Sequence, residues 1–194
     1  MKNSRIRLAA LIGLSLMPIT ALAHTGIGTT TGFAAGFSHP FAGIDHLLAM
    51  IAVGLWAAQM GGRATWAVPA SFVTVMLLGA ILGFTGIAVP YIETGILVSL
   101  LVLGLLVAGA VKLPLLLSSV LVGSFALFHG HAHGSEIPLV AGAVTYISGF
   151  LMATTLLHLL GLAAGFRLNR FRFEHFTRLA GGVIVVSGLY LAIT

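Results

Sequence analysis

Two short stretches carry most of the side chains that could hold a metal ion. The first, HPFAGIDHLLAM over 39–50, places His39, Asp45 and His46 at the start of an apolar run. Ionisable groups are costly in lipid, so at the end of a membrane helix they normally face a protein interior or a watery cavity and indicate an ion or substrate path. Proline is tolerated at the first helical position and disfavours helical geometry in the residue before it. Pro40 therefore predicts a helix start, with His39 flanking it and folding back over Asp45 and His46.

The second stretch is FHGHAHGSE over 128–136. On a helix, His129, His133 and Glu136 follow at i, i+4 and i+7 and share one face, whereas His131 points away. Three histidines and a glutamate are concentrated here in a chain with only eight histidines and four acidic residues. A histidine-rich loop that binds metal adventitiously is the alternative, because imidazole is the commonest metal ligand. The spacing on one face favours a ligand set.

The composition determines the class of protein that must position these side chains. Hydrophobic residues make up 59% of the 194 residues and charged residues 7%, against roughly 25% charged in an ordinary soluble domain. This composition is typical of a membrane protein. The chain has no cysteine, so it has neither a disulfide framework nor a thiolate metal site.

The first residues have the three parts of a secretory signal. Basic residues at positions 2, 5 and 7 precede an apolar run over 8–19 and the small-residue pattern ALA at 21–23. An uncleaved membrane helix is disfavoured, since the apolar run is shorter than the ~20 residues that a span needs. We therefore predict a signal peptide over 1–23, cleaved before His24, and a single membrane domain over 24–194. This predicts export to the bacterial inner membrane.

The stretch 24–38 is rich in glycine and threonine, and three of its glycines are spaced by four, at Gly28, Gly32 and Gly36. Such spacing permits close helix packing. The threonine run and low apolar content are equally compatible with an extracytoplasmic loop. Both interpretations stay open at this point.

The mature chain contains six apolar runs that can form membrane helices: 41–60, 66–84, 93–111, 114–130, 138–164 and 179–194. A cleaved signal places the new amino terminus outside, and the direction then alternates. All six remaining basic residues fall in inner loops on this count, as the positive-inside rule requires: Arg63, Lys112, Arg167, Arg170, Arg172 and Arg178. We predict an all-α, multi-pass membrane protein, a six-transmembrane-helix bundle with both termini outside.

This topology brings the two histidine stretches to the same side of the membrane. The first span starts at one stretch, and the fourth ends at the other, so together they could complete a single site. Imidazole with carboxylate and without thiolate suits Ni²⁺, Co²⁺, Zn²⁺ or Cu²⁺ and makes Mg²⁺, Ca²⁺ and Cu⁺ poor candidates.

The two stretches also resemble the signature motifs of the HupE/UreJ family of nickel and cobalt permeases. The resemblance covers nearly the whole mature chain, including the signal and the histidine at the predicted new terminus. It implies import of Ni²⁺ or Co²⁺ as a transported substrate, with no prosthetic group and no enzymatic activity of the chain itself. The implied metal-binding residues are His39, Asp45, His46, His129, His133 and Glu136, with His24 and His131 as secondary candidates.

Two other classes of protein compete with a permease. A membrane-embedded metal-dependent hydrolase would also place histidines and carboxylates on several helices, with the metal activating a water. A haem-binding electron carrier would use paired axial histidines such as His46 and His129, but Asp45 and Glu136 would then have no role.

The expected partners are a divalent transition-metal ion and the lipid bilayer, with no nucleic acid. No G-x-x-x-x-G-K-[ST] stretch is present to hold phosphates. Transport would therefore be facilitated, ion-coupled or driven by a separate protein, which the basic inner loop around Arg170 could contact. His158, in the inner part of the fifth span, is open to two interpretations, an exit ligand or a helix-to-helix hydrogen bond.

Overall fold

The computed structural model describes residues 32–137 and 142–194, which form helices joined by short turns. The predicted signal peptide, Gly28 and the candidate ligand His24 lie outside the described residues. Seven helices follow in chain order: α1 Gly32–Ala42, α2 Ile44–Met60, α3 Ala64–Phe84, α4 Ile92–Gly109, α5 Leu115–Ser135, α6 Ala143–Arg170 and α7 Glu174–Leu191. The described part of the chain contains no strand, in agreement with the predicted all-α class.

Four of these helices, α3 to α6, are long and apolar enough to cross a membrane. A fifth crossing is added if α1 and α2, which are bent by 83° relative to each other, are taken as one broken span. Large apolar side chains such as Leu116, Val144 and Leu179 are exposed on the outside of the bundle, where lipid would cover them. The helices thus describe a multi-pass membrane protein, while the sixth crossing by α7 and the location of the termini stay predictions.

The start of the first motif differs from the prediction. Pro40 does not begin a helix but lies inside α1, and His39 is on the last turn of that helix rather than in a flanking loop. The reason is tertiary packing: Gly36 is buried against the backbone of Tyr146, and Gly149 lies against the backbone at Phe33. Pro40 lacks an N–H and so removes one helical hydrogen bond, and only two residues of α1 follow it. The chain turns at Gly43, between α1 and α2, and the His39 ring packs against His133 and Tyr146.

The boundaries of the later spans also differ. The fourth span was expected to end at residue 130, yet α5 continues through Gly130 and Gly134 to Ser135. Both glycines lie directly against the backbone of α3, at Met76 and Ala80, and a methyl group there would collide with it. Small residues permit such close approach of membrane helices, so the two glycines serve packing and do not end the helix. The fifth and sixth runs, expected at 138–164 and 179–194, are the helices Ala143–Arg170 and Glu174–Leu191.

Helix α2 is the centre of the bundle, since almost all of its residues from Ala49 to Ala58 are buried.

Near the end of α2, the Trp56 indole donates a hydrogen bond of 2.8 Å to the carbonyl of Val111. The Arg178 guanidinium at the start of α7 donates one of 2.8 Å to the carbonyl of Ala108. These contacts bring the end of α2, the end of α4 and the start of α7 together, and we call this the basic end of the bundle. The basic residues of the described chain lie in its turns and helix ends: Arg63, Lys112, Arg167, Arg170, Arg172 and Arg178.

Candidate metal centre

The two histidine motifs meet at the end of the bundle opposite the basic end. His39 Nε2 on α1 lies 3.0 Å from Glu136 Oε2, which directly follows α5, although the two residues are 97 positions apart in the chain. Together with His133 they form a group whose possible ligand atoms all lie within 4.8 Å of one another. The Glu136 side chain is 60% exposed and that of His39 32%. This group therefore forms the mouth of the site, with a carboxylate that attracts cations.

His133 lies deeper in the protein than this mouth. It is 3% exposed, and its ring packs against those of His39 and His46 at centroid distances of 4.6 and 4.2 Å. The Phe150 ring covers another side at 4.2 Å. Neither ring nitrogen has a hydrogen-bond partner among the described residues, and a buried polar atom without a partner is costly. Both nitrogens of His133 are therefore available to a ligand.

His46 is oriented by its neighbour Asp45. The two side chains form a hydrogen bond of 2.8 Å between His46 Nδ1 and Asp45 Oδ1, and the same oxygen accepts the backbone N–H of His46 at 2.8 Å. Since an ionised carboxylate only accepts, the proton is on Nδ1, and Nε2 retains its lone pair. Nε2 is buried and has no partner among the described residues. Asp45 thus orients His46 and leaves Nε2 available, an arrangement that is common for carboxylates next to metal-binding histidines.

Gly43 makes this arrangement possible. A Cβ at position 43 would lie 2.7 Å from Asp45 Oδ1 and 3.1 Å from His46 Nδ1. A side chain at position 43 would therefore displace the Asp45 carboxylate and the His46 ring from this arrangement.

His129, one helical turn deeper on α5, is oriented in a similar way by Ser99 of α4. The Ser99 hydroxyl donates to the carbonyl of Ile96 at 2.6 Å and lies 2.9 Å from His129 Nε2. Because that hydroxyl proton is already used, Nε2–H of His129 is the donor and Nδ1 carries the lone pair. The His129 ring is fully buried and contacts that of His46 at 4.8 Å.

The secondary candidate His131 is placed elsewhere. His131 faces away from this cluster, and its Nε2–H donates a hydrogen bond of 2.8 Å to the carbonyl of Ile87. The structure therefore brings together the six primary candidates and leaves His131 out. We call the set the histidine column: His39, Asp45, His46, His129, His133 and Glu136.

Some residues of the site were missed by the sequence analysis. Ser99 was visible only as a polar residue in an apolar span, and nothing in the sequence shows that it meets His129. Tyr146 lies beside His39, at a ring distance of 5.9 Å, and its buried hydroxyl has no partner among the described residues. Phe72 packs on the inner side of His129 at 5.7 Å.

The column offers imidazole and carboxylate groups over about 10 Å along α5, from Glu136 to His129. This set suits divalent transition-metal ions. It does not suit a haem held between His46 and His129, because these rings touch edge to face and leave no room for a porphyrin between them.

The apolar helices and the buried histidine column define a multi-pass membrane protein with a candidate site for a divalent metal ion. The family model described as HupE / UreJ protein matches residues 12–191. The chain belongs to the HupE/UreJ family. It is 46% identical over 194 residues to Protein HupE of Rhizobium leguminosarum bv. viciae, and the alignment covers 100% of both chains. No solved structure matches the chain.

Proposed function

We propose that this protein is a permease of the bacterial inner membrane that imports Ni²⁺ or Co²⁺ through the histidine column. The observation that supports it best is the group formed by His39, His133 and Glu136, whose possible ligand atoms lie within 4.8 Å of one another although they come from distant parts of the chain. Family membership and the likeness to Protein HupE point in the same direction.

An ion path through an apolar bundle needs ligands at successive depths, and the histidine column provides them. A metal ion that enters an apolar bundle loses its water shell, and protein ligands must replace it at each depth. Neighbouring imidazoles at ring distances of 4.2 to 4.8 Å allow one ligand to be exchanged for the next. Conduction requires sites that bind the ion well enough for it to enter and weakly enough for it to leave. A series of similar imidazoles meets both conditions better than one closed cage.

The direction of transport follows from charge. The basic residues lie at the end opposite the column, and the positive-inside rule assigns that end to the cytoplasm. The mouth formed by His39 and Glu136 then faces outside, where the ion is collected.

Uptake of radiolabelled Ni²⁺ and Co²⁺ into liposomes that contain only the purified protein tests this function. We expect saturable uptake that unlabelled Ni²⁺ and Co²⁺ suppress more strongly than Zn²⁺ does. His133→Ala should abolish it, while His175→Ala, which removes an exposed imidazole at the basic end, should leave it unchanged. Equal uptake by protein-free liposomes or by the His133 variant would refute the proposal.

A further inference from the structure

One buried imidazole lies deeper than the histidine column and has no role in it. His158, in the middle of α6, is 1% exposed, and neither of its ring nitrogens has a hydrogen-bond partner among the described residues. Its backbone is fixed by close helix packing, since Gly54 of α2 lies directly against the His158 carbonyl. A buried imidazole without partners is costly for a structure, so packing alone does not explain it. A helix-to-helix hydrogen bond, one of the two interpretations of this residue, is not formed with any described residue.

His158 continues the line of the histidine column toward the basic end. The Phe72 ring contacts His129 at a centroid distance of 5.7 Å on one side and His158 at 5.1 Å on the other. Phe72 thus separates two imidazoles that would otherwise be neighbours in the series. The three side chains come from three helices, α3, α5 and α6, and all are buried.

The surroundings of His158 offer weaker ligands as well. One turn along α6, the Thr154 hydroxyl lies 3.8 Å from the Met76 sulfur of α3, and both residues are completely buried. Thr154 and His158 are four positions apart, as are Phe72 and Met76, so each pair lies on one face of its helix. A hydroxyl and a thioether sulfur are weak ligands, and the imidazole is the one strong ligand among them.

On its other side, His158 borders an open, mainly apolar groove of about 440 Å³ between α3 and α6. Some of the side chains that line the groove, such as Trp66 and Leu159, are exposed on the outside of the bundle. The groove extends along α3 from Val73 to Thr65, a distance of about 12 Å at the helical rise. Thr65 is close to the start of α3, at the basic end of the bundle. The groove therefore runs from the level of His158 to that end along the surface that lipid would cover.

We propose that His158 is a second, inner binding position for a divalent transition-metal ion, which receives the ion from His129 past Phe72. The proposal rests on the proposed function, because it extends the same ion path. With one strong ligand, this position binds the ion less tightly than the column, as an exit site must.

Titration of the purified full-length protein with Co²⁺ in detergent, followed by its ligand-field absorption, tests the inner site without requiring transport. We expect a tight binding step from the column and a weaker step from His158. His158→Gln and His158→Leu should lose the weaker step and leave the tight step unchanged. The matched control His175→Gln, at an exposed imidazole, should keep both steps. A weaker step that persists in both His158 variants, or its absence from the unmodified protein, would overturn the proposal.

Thermal unfolding of the same variants separates an ion-binding role from a structural one. Leu has a similar volume and no polar atoms, so His158→Leu should unfold at the same or a higher temperature than the unmodified protein. A marked fall in the unfolding temperature would show that His158 supports the fold instead, and would overturn the proposal.

Uptake into liposomes adds a further measurement. His158→Leu should lower the maximal rate of Ni²⁺ uptake at least several-fold and leave the half-saturating concentration unchanged, since the outer mouth is intact. If the unmodified protein shows no uptake, the proposed function fails, while the Co²⁺ titration still decides whether His158 binds the ion.

Discussion

Ser99 and His129 are joined by a hydrogen bond of 2.9 Å in the apolar interior between α4 and α5. The Ser99 hydroxyl gives its own proton to the carbonyl of Ile96, and it therefore accepts from the imidazole. The consequence is a single tautomer of His129 with its Nδ1 lone pair available. Asp45 likewise fixes one tautomer of His46, with the proton on Nδ1 and the lone pair on Nε2. Two histidines of the column are thus each held by a neighbour that need not touch the ion.

The first prediction concerns Ser99. Ser99→Ala leaves the Nε2–H of His129 without its acceptor and the ring without its orientation, so affinity for Ni²⁺ should fall about 10-fold to 100-fold, as for other residues behind metal ligands. Equilibrium binding to the purified protein measures the change. Ser124→Ala is the matched control, because the Ser124 hydroxyl is exposed and bonds only within its own helix. Equal affinities of the two variants would contradict the role assigned to Ser99.

The second prediction concerns Asp45 and separates orientation from direct binding. Asp45→Asn keeps an oxygen that can accept the His46 proton but removes the charge, whereas Asp45→Ala removes both. If Asp45 acts through His46, the loss of Ni²⁺ affinity should be about 10-fold for the Asn variant and clearly larger for the Ala variant. An equally complete loss in both would indicate that the carboxylate itself binds the ion.

The third prediction tests the packing that holds α5 in place. Gly130→Ala drives a methyl group into the α3 backbone at Met76. The methyl group fits only if α3 and α5 move apart. Destabilisation should be at least about 3 kcal/mol, the upper part of the usual range for overpacking. Gly182→Ala in α7 meets no atom within 4 Å and should be neutral or stabilising by about 0.5–1 kcal/mol. Thermal unfolding in detergent compares the two, and similar values would refute the close packing of α3 on α5.

The fourth prediction concerns topology. A reporter enzyme that is active only outside the cytoplasm should work when fused after Thr194 and fail when fused after Arg170, because the positive-inside rule assigns the basic end to the cytoplasm. A fluorescent reporter that folds only inside should give the opposite pattern. The reverse result would place the mouth at His39 and Glu136 on the cytoplasmic side and would exclude collection of ions from outside.

Apolar run length was enough to predict helices α3 to α6, because each must span a fixed thickness of lipid and few charges interrupt it. The positions of the basic residues gave the direction of each helix, and helix direction decides at which end of a bundle a residue lies. The sequence could therefore predict that the candidate ligands His39 and Glu136 lie at one end, where they meet. The sequence did not predict that α1 would continue through Pro40, because that depends on packing of Gly36 against Tyr146. It also could not show that Ser99 meets His129, since this contact depends on how two helices are rotated about their axes. Contacts set by tertiary packing leave little trace in periodicity or composition.

The fifth prediction distinguishes two histidines that lie two positions apart on α5. His133 is buried in the column between His39 and His46, whereas His131 faces α3 and donates to the carbonyl of Ile87. His133→Ala should therefore abolish Ni²⁺ binding and uptake. His131→Ala should reduce uptake only modestly, because it removes a hydrogen bond outside the column, worth about 1 kcal/mol of stability. Binding and uptake are measured at matched protein levels in the membrane, so that a loss of folded protein is not mistaken for a loss of ligand. If the two variants lost binding equally, α5 would have to unwind at Gly130 when it takes up the ion, and both imidazoles would then belong to the site.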